Sequence, residues 1–268
     1  MELPTESISL SESSSSELKG RTVLVTGASK GIGSAIVEAL GRAGADVIAH
    51  YGSDLAGAQA ATSQIPQDRK LLITADLSKP DEYKKLWDEA ITWRGGIDVF
   101  VSNAAVMPQS SLTDSESEWI AAWDLAFSIN VRSTALLIRR AVNHFLDRGG
   151  GTIIGMSSWA AQQGSRNPKL SGYAASKAPI AALLKTIARA YGKDEIFAYL
   201  IAPGIVRTAM SEDSAKSLGG EEEITSQLAM GEWIPPEEIA HLVTFLATGT
   251  NRHLSGATFD ISGATYIR

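Results

Sequence analysis

Tyr173 and Lys177 stand four residues apart at the head of a helical stretch that runs on through Leu183, Ile187 and Tyr191. Residues at that spacing share a helix face, so a phenol hydroxyl and an ammonium can reach one point in space. A free tyrosine titrates at about 10, too high for easy proton exchange at neutral pH, and a neighbouring cation favours its ionised form. The pair is thus suited to pass a proton to or from a substrate oxygen. Ser158 ends the β-rich run before this helix and could hydrogen-bond a carbonyl or hydroxyl opposite the tyrosine. A Tyr-x-x-x-Lys alone is commonly a solvated helix face, so its weight comes from the other motifs.

The strongest of these is Thr26-Gly-Ala-Ser-Lys-Gly-Ile-Gly33, directly after the apolar run from Thr22. A β-branched run that breaks into glycines and resumes as an amphipathic stretch from Ser34 to Ala43 reads as strand, tight turn and helix. Gly27, Gly31 and Gly33 permit positive φ angles and a close backbone approach, while the free N–H groups of Ser29, Lys30 and Ile32 and the helix dipole favour a pyrophosphate. The expected ligand is a dinucleotide. A rival reading takes Gly27-Ala-Ser-Lys-Gly31 as the G-x-S-x-G elbow of a serine hydrolase, with Ser29 as nucleophile and His241 or His253 as partner. A third reading keeps the nucleotide and drops the turnover, leaving a dinucleotide-binding sensor.

The elements that must position these residues follow from periodicity. Short β-rich runs at 22–26, 46–50, 70–75, 97–102, 152–157, 196–201 and 257–261 alternate with longer helical patterns. That alternation predicts an α/β fold, a single doubly wound domain whose seven-stranded parallel sheet carries helices on both faces. Ligands of such sheets gather at the carboxyl ends of the strands. There the chain places the glycine turn, Tyr51-Gly52-Ser53, Asp76-Leu77, Asn103-Ala104-Ala105, Ser157-Ser158 and Pro203-Gly204.

Taken together, these motifs resemble the short-chain dehydrogenase/reductase family, and the resemblance covers nearly everything from Leu18 to Arg268. It implies a Rossmann-type domain and hydride transfer between a nicotinamide and a carbonyl or alcohol carbon of a small, partly apolar substrate. Asn130, Ser158, Tyr173 and Lys177 match the family's catalytic tetrad. Tyr173 would be the acid or base, Lys177 would lower its pKa and hold the nicotinamide ribose, Ser158 would orient the carbonyl, and Asn130 would support a water that relays protons. Read from its own surroundings, Asn130 is a mid-helix Asn, expected to be exposed or bonded to its own backbone. The resemblance also places Asp76 in the adenine pocket, Asn103-Ala104-Ala105 as a support of the central sheet, and Pro203-Gly204-Ile205-Val-Arg-Thr208 against the nicotinamide. It implies a homotetramer.

The chain departs from the family pattern in three places. Ser102-Asn-Ala-Ala105 replaces a more usual Asn-Asn-Ala-Gly; the interval from Ser158 to Tyr173 is longer than is common, leaving Ser157 and Ser158 as two serines of which the later is taken; and Pro179 falls within the Tyr173 helix. Family members that prefer NAD carry an acid after the second strand. Tyr51 stands in that place here, followed by Gly52 and Ser53, while Lys30 offers positive charge to a 2′-phosphate, so NADP(H) is expected over NAD(H), with Asp54 tempering the preference.

Composition narrows the remaining classes. The chain has 268 residues and a formal charge of -6, which argues against nucleic acid or an anionic membrane as partner. It has no cysteine, its four histidines show no ligand spacing, and no apolar run is long enough to span a bilayer, so neither a catalytic metal nor a membrane is expected. The first residues lack the character of a secretory signal, which makes the cytoplasm the expected compartment. Residues 1–17 read as a polar, mobile tail and 18–268 as the folded domain, with 209–234 forming a lid. Met107, Trp159, Met210 and Trp233 are candidate pocket walls.

Overall fold

In the computed structural model, which describes residues 17–268, the chain forms one sheet flanked by helices. The tail read over residues 1–17 lies outside the described residues apart from Glu17. The elements run β1 (Thr22–Thr26), α1 (Gly31–Arg42), β2 (Asp46–Tyr51), α2 (Leu55–Ala61), β3 (Lys70–Thr74), α3 (Glu82–Thr92), β4 (Val99–Ser102), α4 (Glu116–Ala126), α5 (Thr134–Arg148), β5 (Gly151–Met156), α6 (Ala160–Gln163), α7 (Ser171–Tyr191), β6 (Ile196–Pro203), α8 (Ala209–Lys216), α9 (Glu221–Ser226), α10 (Pro236–Ala247) and β7 (Thr258–Ile261). All seven expected strands are present, with ends shifted by at most two residues.

Every pairing is parallel and the strand order is β3-β2-β1-β4-β5-β6-β7. Successive strand side chains point to opposite faces, and the apolar runs divide accordingly. Val23, Val25, Val47, Val99, Val101 and Ile154 face α1 and α10 in one core, while Leu24, Ile48, Phe100, Ile153 and Leu200 face α3, α5 and α7 in the other. This two-sided burial is why the central strands are almost continuously apolar. The order reverses between β1 and β4, and the crevice that such a reversal opens lies at their carboxyl ends.

One helical feature differs from the sequence reading, and a second agrees with it. Asn130, read as a mid-helix residue, lies in a π-helical segment, Phe127–Ser133, that joins α4 to α5. Pro179 lies inside α7, past the two turns that carry Tyr173 and Lys177, and the helix continues to Tyr191. Its missing N–H leaves the Ala175 carbonyl without an intrahelical donor.

Candidate active site

The glycine turn is held in place from three sides. Asn103 Nδ2 donates to the carbonyls of Thr26 (2.9 Å) and Gly27 (3.1 Å). Thr26 Oγ1 accepts from the Asn103 and Ala104 N–H groups at 3.0 and 3.1 Å, which binds the β1 and β4 loops together. Gly27, at φ +70°, packs so closely that an added Cβ would lie 2.9 Å from Ala104 Cα, and one on Gly33 would lie 1.9 Å from the Gly27 carbonyl oxygen. Glycine is therefore required at both positions by close approach. Across the turn Thr208 packs on Gly31, and its Oγ1 caps α8 by accepting from Ser211 N.

Around this turn lies a crevice of about 750 Å³. It is lined by Gly27, Ser29, Lys30, Gly31, Ile32, Gly33, Gly52, Ser53, Asp76, Leu77, Asn103, Ala104, Ala105, Ser158, Tyr173, Lys177, Pro203, Gly204 and Thr208, so most residues singled out from the sequence meet in one place. Tyr51 and Ile205 do not line it. Tyr51 is the last residue of β2 and is only partly exposed, and Ile205 packs into the small core of the 209–234 segment. Met107 and Met210 line the crevice, but Trp159 and Trp233 do not. Trp233 is buried in that small core, where its Nε1 donates to Thr225 Oγ1 at 2.9 Å.

The proton-handling side chains come from β5 and α7. Lys177 is buried, and its Nζ donates to the Met156 carbonyl at 2.9 Å while standing 5.9 Å from the Tyr173 ring centroid. Burial lowers its pKa to about 8. The expected lowering of the Tyr173 pKa by Lys177 is not what the structure shows. Burial pushes the phenol up, and a hydrogen bond from Ser158 opposes that rise only in part. Desolvation of the phenolate is the larger of the two effects, and Lys177 Nζ donates to a carbonyl. Ser157 and Ser158 are separated by their partners: Ser157 Oγ donates to the Lys177 carbonyl at 3.0 Å, whereas Ser158 Oγ accepts from Ala160 N and meets the phenol.

Asn130 is neither exposed nor bonded to its own backbone. It is buried in the π-helical segment, where Nδ2 donates to the Val106 carbonyl and to Ser176 Oγ, both at 2.9 Å, and Oδ1 accepts from Val106 N at 2.9 Å. The extra residue per turn of a π-segment reorients the side chain toward other elements, so the helical reading of this Asn fails. Ser176 in turn donates to the Tyr173 carbonyl at 2.8 Å, and Ser133 Oγ donates to the Leu77 carbonyl at 2.7 Å. The π-segment thereby ties two crevice loops to the helix that carries Tyr173.

Sequence reasoning missed Ser133, Ser176 and His50. The only signal for the first two was small polar residues recurring on apolar helix faces. Of the described histidines His50 alone lines the crevice, and both its ring nitrogens contact backbone groups; no hydrogen bond joins Ser29 to a histidine. The nucleophile reading of Ser29 has no base. Among the described residues no group of three or more His, Cys, Asp or Glu could hold a metal, and no helix is long and apolar enough to cross a membrane.

The family described as Enoyl-(Acyl carrier protein) reductase matches residues 27–263. The chain is 33% identical to 3beta-hydroxysteroid dehydrogenase 1 of Eggerthella lenta, over 92% of this chain and 94% of that protein. It is 31% identical to 2-dehydro-3-deoxy-D-gluconate 5-dehydrogenase of Bacillus subtilis, over 94% and 96%. A crystal structure of a short-chain dehydrogenase from Burkholderia cenocepacia in complex with NADP superposes with a TM-score of 0.83 at 29% identity, covering 93% of this chain and 99% of that one.

Proposed function

Because the chain belongs to the short-chain dehydrogenase/reductase family, we propose that it is an NADP(H)-dependent ketone or aldehyde reductase, reversible as an alcohol dehydrogenase, acting on a small, partly apolar substrate. The observation that carries this reading is the convergence of the Tyr173 and Ser158 hydroxyls and the Lys177 ammonium in the crevice that the glycine turn opens. The turn fits a dinucleotide. Its two packed glycines leave no room for side chains, and the first-turn N–H groups of α1 have no intrahelical acceptor, so they would hold the pyrophosphate. Asp76 would hold the adenine edge; its carboxylate is kept ionised by hydrogen bonds from Ser78 Oγ and N.

What the nicotinamide supplies when bound is a hydride donor or acceptor at carbon. The rest is done by the chain. A phenol held above its ordinary pKa is protonated at neutral pH, so Tyr173 delivers its proton to a carbonyl oxygen in the reductive direction. Ser158 orients that oxygen opposite the phenol. The Lys177 ammonium has one protein acceptor, leaving two N–H donors for ribose hydroxyls. Asn130 acts by fixing Val106 and α7. Met107 and Met210 beside Gln109 and Ser211 give a mixed apolar and polar mouth, in keeping with a small, partly apolar carbonyl.

The test is consumption of NADPH with a panel of ketones and aldehydes, by wild type and Tyr173→Phe. The variant is expected to lose about 10²–10⁴ in turnover, the range for a positioned general acid, while its NADPH affinity stays within about threefold. Full activity in Tyr173→Phe would overturn the assignment. Tight nucleotide binding with no turnover by the wild type on any carbonyl would favour the sensor reading.

A further inference from the structure

One buried group that the reaction does not use is His50, at the end of β2 and 2% exposed. Its ring bridges two other strand ends. Nδ1 accepts from the Gly27 N–H at 3.2 Å, and Nε2 lies 3.0 Å from the Ala75 carbonyl oxygen, to which it donates. The contacts determine the proton: an N–H needs an acceptor and a carbonyl needs a donor, so only the neutral Nε2–H tautomer serves both. The His50 carbonyl also accepts from Ala28 N at 2.8 Å. One residue thus takes the first two N–H groups of the glycine turn, while Asn103 takes the carbonyls of Thr26 and Gly27.

This division of partners has a consequence for the ligand. With Gly27 and Ala28 committed to β2, the turn is held at the positive φ of Gly27, and the later N–H groups, from Ser29 into the first turn of α1, are presented to the crevice as a set. Without the ring nitrogen, Gly27 N–H would be an unpaired donor at a part-buried site, and the turn could rotate to satisfy it. We propose that His50 is a positioning residue for the cofactor's pyrophosphate, acting through the Gly27 N–H. The inference rests on the dinucleotide reading of the crevice.

Three variants separate this role from mere filling of space. His50→Leu removes both ring contacts. His50→Asn keeps an acceptor near the place of Nδ1 but is too short for Ala75. His50→Gln can reach Ala75 with its amide N–H but has no acceptor near Nδ1. NADPH titration by fluorescence is expected to show Leu and Gln binding about tenfold more weakly than wild type, the change that losing one hydrogen bond brings. Asn is expected to stay within about threefold, and the KM for NADPH should follow the same order while kcat at saturation holds. Gln binding as tightly as Asn would overturn the proposal, as would a loss in kcat alone.

A measurement on the wild type needs no variant to fold. The ¹⁵N shifts of the His50 ring are expected to report the Nε2–H tautomer, and a Nδ1–H tautomer or a cation at pH 7 would overturn the proposal. If the wild type bound neither NADPH nor NADH, the dinucleotide reading would fall with it, whereas intact wild-type binding with no Asn–Gln difference would sink the His50 role alone.

Discussion

At position 51, where the family resemblance leads us to expect an acid in a chain that prefers the unphosphorylated cofactor, this chain has a tyrosine that does not line the crevice. The nearest carboxylate there, Asp54, caps α2 by accepting from Gly57 N at 2.8 Å, so its charge is aligned with a helix N-terminus. Lys30 is exposed, lines the same crevice, and enters no ion pair among the described residues. A 2′-phosphate would therefore meet a free ammonium and a partly compensated carboxylate. Lys30→Ala is expected to weaken NADPH about tenfold, as for the loss of one charge-assisted contact, and NADH by less than about twofold. The NADPH effect should shrink in high salt because Lys30 is exposed. Equal losses for both nucleotides in the titration would remove Lys30 from the preference. Candidate residues grouped by local spacing, such as Tyr173 with Lys177 or the three glycines, were legible in the chain. His50 was not, because its partners lie 23 and 25 residues away and meet it only through the parallel register of β1, β2 and β3.

Among the elements, the segment from Ala209 to Ile234 is the one whose character the sequence concealed. It reads as a connection rich in Ser, Glu and Gly, yet it folds into α8 and α9, of 8 and 6 residues, too short for helical periodicity to show. Its own small core gathers Ala215, Ile224 and Trp233 with Ile205, Leu218 and Leu228. The base is closed by a parallel bridge between Val206 and Ile234, by an Arg207–Glu221 ion pair at 2.8 Å, and by the Arg207 guanidinium 5.2 Å over the Trp233 ring. The ion pair is exposed and worth little, so Trp233 dominates. Truncating a buried Trp costs about 3–5 kcal/mol, more than so small a core can lose. Trp233→Ala is expected to open this segment alone: limited proteolysis should cut within 209–234, the KM for the carbonyl substrate should rise, and the melting of the sheet should barely move. A drop in the global transition with no new cleavage there would show that the segment is not a separable lid. The π-segment was equally hidden, since nothing in the spacing of Asn130 and Ser133 distinguishes it from an α-turn.

Over the whole molecule, the sheet was readable because its β-branched runs alternate with helices, and the crevice followed from the rule that ligands gather at strand carboxyl ends. The strand order and the buried polar groups beneath that crevice had to come from the structure. Those groups couple stability to pH. His50 has its pKa lowered from 6.5 to about 4, chiefly by burial, with the Ala75 carbonyl opposing. Between these values the unfolded chain binds a proton that the folded chain refuses, so stability must rise with pH across that window. The contribution is complete above about 6.5 and is lost as pH falls through about 4; it is on the order of 3 kcal/mol. Lys177, lowered from 10.5 to about 8 by burial, acts with the same sign in a separate window, adding stability as pH rises from about 8 to 10.5. Urea midpoints measured at intervals from pH 4.5 to 7 are therefore expected to climb in the wild type. They should be distinctly flatter in His50→Asn, which has no titrating group there. An identical slope in the two proteins would mean that the ring is charged in the folded state, and that the bridge from Gly27 to Ala75 is not made by a neutral imidazole.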